Sequence, residues 1–502
     1  MKGNDFMISD MLQKAREYEL SHERNISKED RPGFHLSSRV GWMNDPNGFS
    51  LYNGEYHLFH QYYPYEARWG SMHWAHATSK DLLHWEYKPA VLAPDKFYDD
   101  FGCFSGTAIT TDDGKHLIMY TSVMNRYMDG GERKEYQQQS IAIGDGENYV
   151  KYESNPVIST SQLPQGFSEI DFRDPKIWRG KDGLYRVLIG AKDKSANGNL
   201  LLYTSKDCIH WEYKKVFAKN DGSFGRMWEC PDFFVLDGKG VLLVSPQDML
   251  PEGFEYHNGN GTLCLIGSYN EDTDEFVVEN NQSVDYGIDF YAPQTIETED
   301  GRRVMIAWMQ NWDTTSDHGV HDPYFGQMTL PRELKIVDGR LYQSPVKELE
   351  ALRCARAEHK DVILNNEEKS FDDIRGRHLE LDIEVEATDQ ENLYDKFIIS
   401  LAKNDKYHTD FYFRPRESVV KVDRKFSGSR RAYVHQRRAE ISNTEGKLKA
   451  KIILDRNSME IFLEDGRQVM TTTIQTDIDA TEITFAAVGE VKMNIVKHNL
   501  SI

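Results

Sequence analysis

The stretch Thr78-Ser79-Lys80-Asp81-Leu82-Leu83-His84-Trp85-Glu86-Tyr87-Lys88 recurs almost letter for letter as Thr204-Ser205-Lys206-Asp207-Cys208-Ile209-His210-Trp211-Glu212-Tyr213-Lys214. A chain that repeats itself this closely is built from copies of one supersecondary unit. Five stretches share a wider pattern: a polar or acidic opening, an apolar strand, an Asn-Gly or Asp-Gly turn and a second apolar strand. The openings are Asn44-Asp45-Pro46, Phe104-Ser105-Gly106, Arg173-Asp174-Pro175, Glu229-Cys230-Pro231 and Tyr291-Ala292-Pro293. The matching turns are Asn53-Gly54, Asp113-Gly114, Asp182-Gly183, Asp237-Gly238 and Asp300-Gly301. Asn-Gly or Asp-Gly between apolar runs is a strong hairpin signal. Openings spaced roughly 55 to 70 residues apart predict four-stranded blades, and five of them a five-bladed β-propeller.

Beyond about residue 340 the texture changes. Strict alternation in His378-Leu379-Glu380-Leu381-Asp382-Ile383-Glu384-Val385-Glu386, and again in Met459-Glu460-Ile461-Phe462-Leu463, writes one apolar and one polar face. That is a sandwich of antiparallel sheets. The expected class is all-β, divided as a helical extension over 1–33, a propeller over 34–338, a linker with a short helix over 339–368 and a β-sandwich over 369–502. Residues 5–24 predict the helix, with Met7, Met11, Ala15 and Tyr18 on its buried face. The charge run from Arg430-Arg431 to Arg437-Arg438 reads as a solvated sheet edge.

The first strand of every propeller blade lines the central channel, so the five openings converge. This brings Asp45, Asp174 and Glu229 together. Three acids in one funnel are costly as a structural choice, because like charges raise one another's pKa. Paired carboxylates suit glycosidic cleavage, one protonating the leaving oxygen and the other attacking the anomeric carbon. Glu229, between Trp228 and Cys230-Pro231 with Phe233 and Phe234 following, is the expected acid/base, its proton held by desolvation and neighbouring acids. Asp45, in a tight turn beside Asn44, is the expected ionised nucleophile. Asp174, next to Arg173, is expected to stabilise the positively charged transition state. Asn44, Gln61, Trp69, Trp74, Phe104, Ser105, Arg173, Tyr291, Gln294 and Trp308 supply the amides, hydroxyls, charge and flat rings of a sugar site.

The formal charge of -21 repels phosphate backbones and anionic lipid, which argues against nucleic-acid and membrane partners. Met1 to Asp30 holds no apolar run of signal-peptide length, and the five scattered cysteines (Cys103, Cys208, Cys230, Cys264, Cys354) contain no CxxC pair. Both observations predict a cytoplasmic protein with reduced thiols. His57-x-x-His60 and His73-x-x-His76 sit in strand-like runs whose three-residue step points side chains to opposite faces, so neither a metal nor another cofactor is expected.

Trp42-Met43-Asn44-Asp45-Pro46-Asn47-Gly48, Phe172-Arg173-Asp174-Pro175-Lys176 and Trp228-Glu229-Cys230-Pro231-Asp232 together resemble the three signature blocks of glycoside hydrolase family 32, the β-fructofuranosidases. The likeness runs over nearly the whole chain, with Ala75 standing where Gly is usual. It implies a five-bladed propeller joined to a β-sandwich, a retaining mechanism through a covalent fructosyl-enzyme, and the three roles already assigned to Asp45, Asp174 and Glu229. Ser245-Pro246-Gln247-Asp248 and Gly326-Gln327-Met328-Thr329-Leu330-Pro331 look like the intracellular sucrose-6-phosphate hydrolases and invertases of bacteria. Sucrose, its 6-phosphate or both are therefore the expected substrates. Short-fructan hydrolysis, fructosyl transfer, an inverting arabinanase-like activity and a non-catalytic sugar-binding propeller are the competing readings. Arg126, Arg133, Lys134 and His257 are candidates for phosphate contact, and a free sandwich edge can pair two copies into a homodimer.

Overall fold

The computed structural model describes residues 8–127, 131–315, 322–428, 433–442 and 445–501. Met7, Arg430 and Arg431 lie outside these residues. Five sheets form the propeller, beginning at the channel with strands Gly41–Tyr52, Gly102–Thr110, Phe167–Arg179, Trp228–Leu236 and Tyr291–Glu297, each pairing antiparallel with the next strand of its blade. Each is followed outward by three more strands, and all but the last sheet take them in strict sequence order. The first sheet gains a fifth strand from the far end of the propeller: Tyr324–Phe325 pairs in parallel with Gly41 and Trp42. That pairing closes the ring between its two chain ends.

The repeated turns divide into two kinds. Asn53-Gly54 and Asp237-Gly238 are two-residue hairpin loops with positive φ at both positions, the form whose twist matches the flanking strands. At the other three, only Gly114, Gly183 and Gly301 have positive φ, in longer connections. The repeated segment itself joins the third and fourth strands of the first and third blades. Asp81 Oδ1 accepts from the Leu83 and His84 amides, and Asp207 Oδ1 from those of Ile209 and His210. The sequence recurs because the same Asx-type turn recurs.

Two six-stranded sheets make the sandwich, their inner faces alternating as written: Leu379, Leu381, Ile383, Val385 and Ala387 are all buried. Ile453, Phe462 and Val469 face the other way and pack with Phe34, Ile296, Val304 and Leu330 of the propeller. The edge strand Gln468–Thr473 is covered by residues 286–289, whose Tyr286 and Ile288 amides bond the Val469 and Thr471 carbonyls. A side chain at Gly287 would sit 2.1 Å from the Thr471 backbone nitrogen, so only glycine allows this approach.

Two details differ from the sequence expectation. The helix spans Asp10–Glu23, capped by Ser9, and buries Leu12, Ala15 and Glu19; Met11 is 43% exposed. Glu19 belongs to the buried face because Arg39 Nη1 lies 3.1 Å from it. The span read as a linker, 339–368, holds the last strand of the fifth blade (Arg340–Pro345), a 3-10 turn (Lys347–Leu352) and the first strand of the sandwich (Arg353–Asn365). Only residues 346–352 connect the two. Among the described residues no helix is long and apolar enough to cross a membrane, and all five cysteines are unpaired.

Candidate active site

Every channel-lining strand carries a one-residue bulge at its opening motif. Register slips between Met43 and Pro46, Phe104 and Gly106, Glu229 and Asp232, and Tyr291 and Gln294; in the third blade it slips opposite Leu188 and Gly190, at Arg173–Lys176. Four bulges contain Pro46, Pro175, Pro231 or Pro293, which need no ladder hydrogen bond there. Asp174, Cys230 and Ala292 take positive φ (65°, 48° and 51°), strained for residues with side chains. In four of the five blades the bulge aims side chains into one cavity, among them Asp45, Ser105, Asp174 and Glu229.

The bulges open into a cavity of about 1230 Å³, in whose wall Asp45, Asp174 and Glu229 sit together. Ser105 Oγ donates to Asp45 Oδ2 at 2.6 Å, and the Cys230 thiol lies 3.4 Å from the same oxygen. Asp45 Oδ1 is buried with no hydrogen-bond partner. Asp174 Oδ2 accepts from the Cys230 amide at 3.0 Å, while the Asp174 amide donates to Thr121 Oγ1 at 2.8 Å. Arg173 crosses to the fourth blade and places Nη2 3.0 Å from Glu229 Oε1, its Nη1 bonding Asp171 at 2.9 Å. Tyr291 Oη is 2.7 Å from Glu229 Oε2 and 3.1 Å from the Ser245 carbonyl. If Tyr291 gives its single proton to Ser245, its oxygen can accept one from Glu229.

Burial pushes the Asp45 carboxyl above the usual range, opposed by the Ser105 hydrogen bond and reinforced by the charge of Glu229. Burial likewise pushes Asp174 up to about 7, against the pull of Arg173 and with the push of Glu229 and Asp45. The Cys230 thiol is driven well up by burial and then by the three acids, so it stays a donor. The sequence placed desolvation at Glu229 and a free charge at Asp45. The structure buries Asp45 and Asp174 more deeply than Glu229, and gives Glu229 an ion pair that crosses from another blade. With three acids around one arginine, the cluster holds a proton near neutral pH.

Asn44, Gln61, Trp69, Phe104, Ser105 and Arg173 line the cavity. Tyr291 lies behind Glu229, fully buried. Trp308 is also fully buried, packed at a tilt against Trp42 and edge to face against Trp312, and of these three rings Trp312 is the one on the wall. Trp74 and Gln294 are structural, donating to the Phe104 and Gly106 carbonyls. Arg133 and Lys134 reach the rim, whereas Arg126 pairs with Asp100 outside it and His257 lines a separate small cavity. Sequence reasoning passed over Gln137, Asp171, Asp248 and Trp312. Gln137 Oε1 accepts from the Phe172 amide at 3.0 Å, a cross-blade contact that no spacing announces. Asp171, two residues before Arg173, was legible as one more acid at a blade opening. No group of three or more metal-binding side chains occurs among the described residues.

Two family models match the chain. Residues 35–345 match the glycosyl hydrolases family 32 N-terminal domain, and residues 348–501 the family 32 C-terminal domain. A sucrose-6-phosphate hydrolase of Zymomonas mobilis is 35% identical over 88% of this chain and 86% of its own length. A raffinose invertase of Escherichia coli is 34% identical over 91% and 92%. Among solved structures, a family 32 β-fructofuranosidase of Bombyx mori, as a variant in complex with sucrose, superposes with a TM-score of 0.82 at 32% identity, covering 99% of each chain.

Proposed function

The chain belongs to glycosyl hydrolase family 32, and on that premise we propose that it is a β-fructofuranosidase, cleaving the fructosyl bond of sucrose or sucrose 6-phosphate with retention and releasing fructose. The observation that carries the mechanism is the asymmetry of Asp45. One oxygen is held by Ser105 and Cys230, and the other, Oδ1, is buried and unpaired. An anchored carboxylate with one free oxygen is a preorganised nucleophile.

Asp45 Oδ1 attacks the anomeric carbon of the fructosyl unit as Glu229, acting as general acid, protonates the departing glycosidic oxygen. The ester that forms is hydrolysed by a water whose proton returns to Glu229. Asp174, held by the Cys230 amide, accepts hydrogen bonds from fructosyl hydroxyls and balances the positive ring of the transition state. Arg173 and Tyr291 fix the Glu229 carboxyl between them. The saccharide is the only partner this chemistry requires. The size of the cavity also supports short fructans as substrates, separable by a chain-length series.

The test is fructose release from sucrose by wild type and Asp45→Asn, with the first-formed anomer followed by NMR. A loss on the order of 10⁴-fold or more, with unchanged circular dichroism, is expected for Asp45→Asn. Initial release of the inverted anomer, or an active Asp45→Asn enzyme, overturns the mechanism.

A further inference from the structure

Substrate charge is the point on which sucrose and its phosphate ester differ, and the cavity is lopsided in charge. Among its described lining residues are eight acids and three bases. Three of the acids are the catalytic cluster. The others ring the mouth: Glu132 and Glu135 on one blade, Glu169 and Asp171 on the next, and Asp248 across from them.

The bases are all engaged. Arg173 is shared by Glu229 and Asp171, Arg133 Nη2 lies 2.5 Å from Glu135 Oε1, and Lys134 Nζ lies 2.7 Å from Glu169 Oε2. Arg133 is further held over the Phe101 ring at 4.9 Å. Asp171 is also paired with Lys192 at 3.0 Å. Glu132 and Asp248 have no ion-pair partner among the described residues. A phosphate dianion entering here has to take Arg133 or Lys134 from a carboxylate and leave that carboxylate facing it, whereas a neutral sugar leaves every pair intact.

We propose that the acidic rim carried by residues 132–135 and 167–171 is a charge filter that makes the enzyme select uncharged β-fructofuranosides over their phosphate esters. This rests on the β-fructofuranosidase reading and deepens it. The two basic residues that could meet a phosphate, Arg133 and Lys134, are neutralised in place by Glu135 and Glu169. Electrostatic exclusion of this kind acts on capture more than on the chemical step, so it is read in kcat/KM.

The experiment compares kcat/KM for sucrose and for sucrose 6-phosphate on the full-length enzyme, by released fructose, at two ionic strengths. Between about 0.01 M and about 1 M salt the screening length falls from about 30 Å to about 3 Å. Sucrose is expected to be favoured at least tenfold at low salt, with the gap narrowing at high salt. In the double variant Glu135→Gln/Glu169→Gln, at side chains that are 34% and 42% exposed, Arg133 and Lys134 are freed. The ratio of the two kcat/KM values then moves toward the ester by fivefold or more. Equal or better use of the ester by wild type overturns the filter, as does a ratio that the variant leaves unmoved. Release of fructose from neither substrate overturns the parent reading and the filter with it.

Discussion

Arg173, on the third blade, completes Glu229, on the fourth: the guanidinium lies 3.0 Å from Oε1 and is itself anchored by Asp171. The Glu229 carboxyl, the proposed acid/base, is thus oriented by a neighbouring blade, and its position depends on ring closure as well as on its own strand. Burial would discharge this arginine, yet Glu229, Asp174 and Asp171 hold its pKa above the usual value. Replacing it by Met leaves buried acids without their cation, a change typically costing about 3–5 kcal/mol. The expected result for Arg173→Met is a fall of 100-fold or more in kcat/KM for sucrose. Arg173→Lys should recover only part, because one ammonium cannot span Glu229 and Asp171 as the planar fork does. Steady-state kinetics check this, and a Met variant within tenfold of wild type contradicts it.

The raised pKa of Asp174 has a definite sign in stability. Its folded value, about 7, exceeds that of a carboxyl in the unfolded chain, so the folded state binds the extra proton. The stabilisation is fully present below about 4 and is lost as pH rises through about 7. The burial-driven rise at Asp45 acts in the same sense. Wild-type Tm is expected to decline across this window, and Asp174→Asn, which cannot ionise, to flatten the decline while losing activity. Thermal scans at stepped pH values decide it: an unchanged slope in the variant assigns the decline to other groups.

Trp308 and Trp312 meet edge to face with ring centres 5.0 Å apart, but only Trp312 lines the cavity. Truncating the buried Trp308 opens a hole among Trp42, Met72 and Tyr291 and should cost about 3–5 kcal/mol of stability. Trp312→Ala should instead raise KM for sucrose severalfold with a much smaller change in Tm. Measuring KM and Tm for both variants separates wall from support, and the reverse pattern would reassign the two rings.

The fold was legible where local chemistry repeats. Asn53-Gly54 and Asp237-Gly238 announce two-residue hairpins by themselves, and the alternation of Leu379, Leu381, Ile383 and Val385 announces a sheet with one buried face. The acids were legible because blade openings share a form, so Asp45, Asp174 and Glu229 align with one another by sequence alone. What escaped depends on contacts between distant segments. Glu19 reads as a solvated helix residue until Arg39 is seen beside it. Trp308 reads as a sugar platform until Trp312, four residues on, is seen to cover it. The charge balance at Asp45 and Glu229 depends on which blade supplies the arginine, and spacing along the chain carries no record of that.

His35 is the other cross-element device, joining the start of the propeller to the sandwich. Its Nδ1 lies 2.6 Å from Asp455 and its Nε2 2.9 Å from Glu460, with all three side chains buried. A ring that donates from both nitrogens is an imidazolium. Burial opposes that charge, but the two carboxylates prevail and raise its pKa from 6.5 to about 9. The resulting stabilisation, about 3 kcal/mol, is fully present below about 6.5 and is lost as pH rises through about 9. The lowered values of Asp455 and Glu460 work in the opposite direction, so their stabilisation is lost only as the medium becomes strongly acidic. His35→Gln can donate toward one carboxylate only and turns an oxygen on the other. The variant is expected to melt several degrees below wild type at pH 6.5 and to converge on it near pH 9.5, where wild type has shed the same proton. A gap that stays constant across this range would mean that His35 acts through shape and not through charge.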